Sequence, residues 1–446
     1  MIDLVIIGAG PGGFDTAINA REHGLEVTLI ERHKVGGTCL NYGCIPTKAL
    51  YHNAKHIKDL RDIDTFGINV LEYDVDYDIV KERKETIVSN QIRNIQTSLK
   101  KLGVTLIEGE GKILSASEVE VNGEIIETKN IIIATGSKPS MISFEGSDLE
   151  VVHNSKDILS LSTWPKNMVI VGAGVIGCEM ASIFNQFGSN ITLVEYQDEI
   201  LPPLDKDIKK RARNLYKRQG IDIYTKSAFK KVELVEDKYI VTIEQKGKVK
   251  EFETDYVLMS TGRSPNFGNI DLDSLGIGYN KLGITVDEFK ETSVKNIYAI
   301  GDVNGELMLA HKATYDGYKV VSHILGKEMD IHFDQVPSVV FTFPEIAIVG
   351  KTEDELDGTN YRTNKFLFKT NAKAECLNET DGFVKMIVDE SDVLVGCHII
   401  GAHASDLIHE ATSMIYKNIN INEYKNIIHA HPTISEVLSE CIKGFH

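Results

Sequence analysis

The chain opens on an apolar run, LVII (4–7), that stops at a glycine turn, GAGPGG. An uninterrupted apolar run this short, bounded by glycine, predicts a strand buried on both faces. The next stretch has helical spacing, with Ala17 and Ala20 placed for close packing, and Gly24 ends it. A second run, EVTLIE, predicts another strand, finishing at Glu31. The same order returns from Asn167 as NMVIVGAGVIGCEMASIFNQFGSNITLVE. Gly8, Gly10, Gly13 and Glu31 reappear as Gly172, Gly174, Gly177 and Glu195, each shifted by 164. Ala17, Gly24 and Thr28 reappear at the same shift as Ala181, Gly188 and Thr192. A strand–helix–strand unit of about 30 residues is therefore duplicated within the chain.

Each copy also closes alike, with NIIIATGS and YVLMSTGRSPN. Here the shift from Gly136 to Gly262 is only 126, so the first copy carries extra sequence. The extra includes GGTCLNYGCIPTKAL (36–50) and a polar helical run over 79–102. A third segment, NIYAIGDVNGELMLAHKATYDG, predicts a strand ending at Gly301 and Asp302. From Val336 the character changes. FTFPEIAIVG, FVKMIVDE and LVGCHIIGAH read as antiparallel strands, and ASDLIHEATSMIYKN as an amphipathic helix. The expected fold is α/β, with two Rossmann-like dinucleotide-binding domains and a C-terminal α+β domain. The expected boundaries are 1–143, 144–263, a central segment 264–335, and 336–446.

The glycine spacing has a physical reading. The first glycine permits the tight turn, the second lets backbone approach a pyrophosphate, and the third lets helix and strand pack closely. The phosphate then meets the helix N-terminus. Glu31 and Glu195 stand where a carboxylate accepts hydrogen bonds from ribose hydroxyls. Two dinucleotides are thus expected. No Lys or Arg occurs over 195–204, and Glu195 would repel a 2′-phosphate, which points the second site to NAD. Asp302, after the third strand, can take a ribose or ribityl hydroxyl.

Composition narrows the partners. The chain has 446 residues, too many for one typical core, with 42% hydrophobic and 25% charged residues. Its formal net charge of −17 argues against nucleic acid and against anionic membrane surfaces. No apolar run approaches the roughly 18 residues of a membrane span. The apolar start lacks a basic flank and reads as a buried strand, not a signal peptide. Six cysteines in so long a chain make no disulfide framework, and a cytoplasmic setting is expected.

Two of those cysteines, Cys39 and Cys44, lie five positions apart between glycines, with Lys48 next. On an ideal helix they would face about 140° apart, so bonding them needs distorted backbone, for which Gly43 is suited. Pro46 suits the first turn of a helix that continues. Cys44 then lies near a helix N-terminus, and Lys48 follows on the same face four residues on. Both favour a thiolate. A free cysteine with pKa about 8.5 is roughly 3% ionised at pH 7, and a shift to about 7 makes it half ionised. Such a pair suits thiol–disulfide exchange. Zinc would need about four ligands, and His33 and His52 offer no recognised spacing, so no metal is expected. Two inert buried cysteines are the plain alternative.

Near the other end, HPTISE places Glu436 five residues after His431. One reading is a general base steadied by a carboxylate. The other is a helix start, with Pro432 early, Thr433 as cap and Glu436 completing a capping box. The two are compatible.

Taken together, GGTCLNYGCIPTKAL, the doubled GAGxxG, AIGDV with MLAHKA, and HAHPTISE resemble the class I pyridine nucleotide–disulfide oxidoreductases, over essentially the whole chain and in order. The resemblance implies FAD in the first fold, at Gly8, Gly10, Gly13 and Glu31. Further contacts would come from Thr38, Lys48, Gly111, Thr135, Gly136, Gly301 and Asp302, and from Met308, Leu309, Ala310 and His311. It implies NAD at Gly172, Gly174, Gly177, Glu195 and Gly262. Cys39 and Cys44 would form a redox disulfide, and Lys48, paired with Glu179, would lie beside the flavin. The C-terminal domain would be a dimerisation domain. His431 and Glu436 would reach the disulfide of the other subunit, making the active form a homodimer. The motifs most resemble the members that oxidise dihydrolipoamide carried on a lipoyl domain of another protein. NAD(P)H-dependent disulfide or metal reductases of the same fold are the alternative. Glu195 opposes NADPH, and the C-terminus has Cys441 alone where metal reductases use a cysteine pair. Asp15, Tyr42 and Thr47 depart from the family pattern, and Asp15 puts a carboxylate near the pyrophosphate helix.

Overall fold

The computed structural model describes residues 1–445. Its backbone divides into two units. The first joins Met1–Ala49, Asp78–Ser140 and Gly262–Ile331; the second joins Leu50–Tyr77, Met141–Thr261 and His332–His446.

In the first unit the run LVII is the centre of a parallel sheet. Strand Ile2–Ile7 pairs with Val27–Glu31 on one side and Glu124–Ile133 on the other. Thr105–Glu108 extends the sheet beyond Val27–Glu31, and Ile297–Ala299 pairs with the far side of Glu124–Ile133. The expected strand before Gly301 is therefore a member of the first dinucleotide sheet. Leu4 and Ile6 face one core, with Leu29 and Ile132, while Val5 and Ile7 face another, with Ile131 and Ile133. Burial on both faces explains why the sequence runs are apolar without alternation. Glu118–Val121 and Lys112–Ser115 add an antiparallel flap to the same sheet. Helix Pro11–Glu22 packs on helix Ala310–Ile324 at close range: a Cβ on Gly12 would press on Ala313, and one on Gly317 would collide with Thr16. Asp15 lies in this packing, where Thr314 Oγ1 donates to it at 2.8 Å and burial raises its pKa.

The second unit repeats the design. Asn167–Val171, Asn190–Val194, Asp222–Tyr224, Tyr256–Met259 and Val152–Asn154 form an all-parallel sheet. A three-stranded antiparallel sheet over Ser227–Val235, Lys238–Gln245 and Lys248–Thr254 is inserted into it. The C-terminal segment forms a five-stranded antiparallel sheet, in which the three expected runs supply Ile346–Gly350, Phe383–Asp389 and Leu394–Ile400. Helix Ala404–Tyr416 covers it, burying Leu407, Ile408, Ala411, Met414 and Ile415. Asp205, Asp207 and Glu353 converge in this unit, but Lys385 Nζ fills their centre, 2.8 Å from Asp205 Oδ2 and 2.6 Å from Asp207 Oδ2. Among the described residues no helix is long and apolar enough to cross a membrane.

Candidate functional site

The two glycine turns are built alike at the C-terminal ends of their sheets. Gly8 has φ +108° and Gly172 φ +99°, and a Cβ at either would collide with the carbonyl of Ala134 or Ser260, just past the end of the neighbouring strand. Gly13 and Gly177 approach the carbonyls of Gly8 and Gly172 so closely that no Cβ fits. At the middle position the picture reverses. A Cβ on Gly174 would meet nothing within 4 Å, and one on Gly10 only the Gly37 Cα at 4.0 Å. Open space above a helix N-terminus is where a pyrophosphate fits. Helices Pro11–Glu22 and Val175–Phe187 start there.

The two carboxylates echo each other as well. Glu31 accepts from Ala9 N at 2.8 Å and from His33 N at 2.8 Å. Glu195 accepts from Ala173 N at 2.7 Å and from Gln197 N at 2.8 Å. Each is thus locked to its own turn, with acceptor capacity left over, since an ionised carboxylate offers about four lone-pair sites.

Register places several of the sequence-expected residues on one edge. Ile7 pairs with Ile30 and Ile133, and Ala299 with Ile133. Gly8, Glu31, Thr135 with Gly136, and Gly301 with Asp302 therefore follow the ends of adjacent strands. This carboxyl edge is where open α/β sheets bind ligands. Thr135 Oγ1 is buried there with no hydrogen-bond partner among the described residues, as expected of a group awaiting a polar ligand. Thr38 lies in helix Gly37–Tyr42; Gly111, pressed against Ile7, precedes Lys112–Ser115. Met308 and Leu309 lead into helix Ala310–Ile324, which Ala310 and His311 begin. These residues fit a flavin dinucleotide in the first unit.

The segments that close the two copies do more than resemble each other. Ser137–Pro139 and Arg263–Pro265 pair as an antiparallel ribbon in the first unit. Arg263 Nε donates to Ser137 Oγ at 2.7 Å and its guanidinium also reaches Ser137 O at 2.9 Å. Ser137 Oγ in turn donates to Asp302, which lies 3.9 Å from Arg263 Nε. Burial lowers the Arg263 pKa against the charges of Asp302 and Cys44. Arg263 is the residue that sequence reasoning missed here. Its one visible signal was its place directly after Gly262, in step with Ser137 after Gly136. Asp302 is steadied a second way, because Asp316, fully buried, accepts from Gly301 N at 3.0 Å and pairs with Lys312 at 2.7 Å.

Cys39 sits in helix Gly37–Tyr42 and Cys44 opens helix Cys44–Arg61. Both are thiols, Cys44 exposed and Cys39 partly buried. Gly43, between the helices, has φ −146° and ψ −114°, and a Cβ there would come within 3.0 Å of Thr38 O. The break that lets the two sulfurs meet thus depends on close approach as well as on backbone freedom. The hydrogen bond to Cys44, then burial, pushes the Cys39 thiol far above its ordinary pKa, and Lys48 opposes this. Cys39 is the member that keeps its proton. Cys178, Cys397 and Cys441 are buried thiols with raised pKa values, Cys441 to about 12.

The remaining expected residues lie in the second unit. Glu179 is buried in helix Val175–Phe187 and accepts from Phe341 N at 3.0 Å. His431 Nδ1 lies 3.0 Å from Glu436 Oε1, while Glu436 Oε2 accepts from Thr433 N at 2.8 Å. That backbone bond, then His431, lowers the Glu436 pKa. The capping-box reading needs correction. Ser435 precedes the helix, Glu436 begins it, and the Thr433 hydroxyl turns to Ala430 O. Only the glutamate half of the box forms, and it leaves one carboxylate oxygen for His431. The imidazole itself projects, its side chain 71% exposed.

Comparison with known proteins agrees with this geometry. Residues 2–317 match the pyridine nucleotide-disulphide oxidoreductase family and residues 336–442 its dimerisation domain. The mitochondrial dihydrolipoyl dehydrogenase of Pisum sativum is 40% identical over 98% of this chain and 90% of its own length. The dihydrolipoyl dehydrogenase of Chlamydia muridarum is 38% identical over 98% and 95%. The flavoprotein disulfide reductase RclA from Escherichia coli, HOCl-induced, superposes with a TM-score of 0.89 at 26% identity, covering all of both chains.

Proposed function

The chain belongs to the pyridine nucleotide-disulphide oxidoreductase family, an FAD- and NAD-dependent enzyme, and on that premise we propose that it oxidises protein-bound dihydrolipoamide to lipoamide with reduction of NAD. The observation that carries this reading is the pair of thiols, Cys39 and Cys44, at a helix start in the FAD fold, combined with 40% identity to dihydrolipoyl dehydrogenase over nearly the whole chain.

The residues have these roles. In the oxidised enzyme a substrate thiolate attacks Cys39, forming a mixed disulfide and expelling Cys44 as thiolate. The second substrate thiol gives its proton to His431 and displaces Cys39. The product is the cyclic disulfide, and the Cys39–Cys44 dithiol now holds two electrons. The hydrogen bond to Cys44 and the burial of Cys39 raise the Cys39 pKa, which supports this division. FAD, when bound, supplies the two-electron exchange between dithiol and nicotinamide that no side chain offers. Lys48, four residues beyond Cys44 in helix Cys44–Arg61, is assigned a place beside it. His431 and Glu436 act on the thiols of a second copy of the chain, so the active form is a homodimer with shared sites. The substrate arm belongs to the lipoyl domain of a separate protein, and the setting is cytoplasmic.

Mixing the purified yellow protein with dihydrolipoamide and either NAD or NADP tests the reading. Rapid reduction of NAD alone is expected. Turnover only of other disulfides with NADPH would replace it with the reductase alternative. Glu195→Ala is expected to raise the Michaelis constant for NAD about tenfold, the loss of roughly one ribose hydrogen bond, and to narrow the preference over NADP. An unchanged constant, in protein of full FAD content, would remove NAD from the second glycine turn.

A further inference from the structure

After helix Ile421–Tyr424 the chain runs without regular structure to His431. From 427 to 432, Ile427, Ile428, Ala430, His431 and Pro432 all face solvent. His429 alone turns inward, its side chain only 10% exposed. Its Nε2 lies 3.0 Å from Glu410 Oε1 and 3.0 Å from the Tyr424 hydroxyl, and its Nδ1 lies 3.3 Å from Ile427 O. The Tyr424 hydroxyl donates to the same Glu410 oxygen. Glu410 stands on helix Ala404–Tyr416, whose apolar face fills the C-terminal core, and Tyr424 is buried in that core too. The segment is therefore held at one inward point, two residues before His431, and again beyond it at Glu436.

We infer that His429 is a positioning residue: through Glu410 and Tyr424 it fixes the segment that presents His431 to the substrate. The readout in turnover rests on the dithiol oxidation proposed above. Within 427–432 no other side chain turns inward to set the approach of the segment to His431, and a misplacement of about 1 Å at a reacting group costs roughly 100-fold in rate. A glutamine at 429 can aim an amide N–H at Glu410 from near the Nε2 position, whereas alanine cannot.

The test compares His429→Ala and His429→Gln. For the alanine variant, turnover of dihydrolipoamide with NAD is expected to fall about 100-fold with the NAD Michaelis constant unchanged. Reduction of ferricyanide by NADH, which needs the flavin and not His431, stays at the starting rate. His429→Gln recovers most of the lost turnover. Hydrogen exchange over 427–432 speeds up in the alanine variant only. Equal losses in both activities would reduce His429 to a general structural role, and unchanged dihydrolipoamide turnover would overturn the inference outright. Should the alanine variant fail to fold, Glu410→Gln takes its place in the same comparison. No dihydrolipoamide turnover in the unaltered enzyme would sink the proposed reaction instead, and the exchange measurement would still decide the anchoring.

Discussion

Replacing Cys44 with serine is expected to abolish dihydrolipoamide-dependent NAD reduction while FAD stays bound and NADH still reduces it. The exchange needs a sulfur at both positions, because the electrons are stored by breaking one S–S bond and recovered by forming it again. A hydroxyl at 44 can still accept the hydrogen bond from Cys39, but it cannot form that bond. Little else depends on Cys44. The residue is exposed at the first position of helix Cys44–Arg61, so serine removes almost no buried area and suits a helix start. The turns at Gly8, Gly10 and Gly13, the Glu31 lock and the Arg263–Ser137–Asp302 chain are untouched. Flavin content is read from the visible spectrum, and reduction by NADH from its bleaching. Loss of bound FAD in this variant would mean that the pair holds the fold together, which is the plain alternative the sequence left open.

How far the residues announced this arrangement varies from place to place. The duplication was legible because a glycine turn, a helix and a terminal carboxylate are local, and local geometry repeats when sequence repeats. The structure extends the likeness to an atom pair no spacing reveals, Glu31 to Ala9 N and Glu195 to Ala173 N. The apolar runs gave the parallel strands for the same reason: burial on both faces leaves no alternation. What sequence could not show was pairing between distant segments. Ser137 and Arg263 meet only because the two closing motifs zip together. Asp316 matters because it folds back on Gly301. The three-stranded sheet over 227–254 has half-exposed strands whose weak alternation hid it among polar residues. At HPTISE, spacing alone favoured a cap over a catalytic pair, though the two were compatible. Two oxygens on one carboxylate resolve that, one serving Thr433 and the other His431.

His431→Gln is expected to lower dihydrolipoamide turnover by about 1,000-fold, within the range for loss of a general base, with NADH-driven ferricyanide reduction intact. The side chain is exposed and its substitution costs little stability, so the effect reports chemistry. Glu436→Gln is expected to cost less, because the amide still reaches His431 Nδ1. Thr433 N and His431 hold the Glu436 carboxyl below its ordinary pKa, so it protonates at lower pH than a free carboxyl. The sharper consequence concerns symmetry. A C2 dimer in which each His431 serves the other copy's cysteines has two equivalent sites. Co-expressing Cys44→Ser with His431→Gln, each inactive alone, then gives mixed dimers with one dead site and one complete site. Random assembly from equal amounts should restore about one quarter of wild-type turnover, since half the dimers are mixed and half their sites are whole. If His431 served the cysteines of its own chain, every site in the mixture would lack one group and the co-expressed protein would stay inactive.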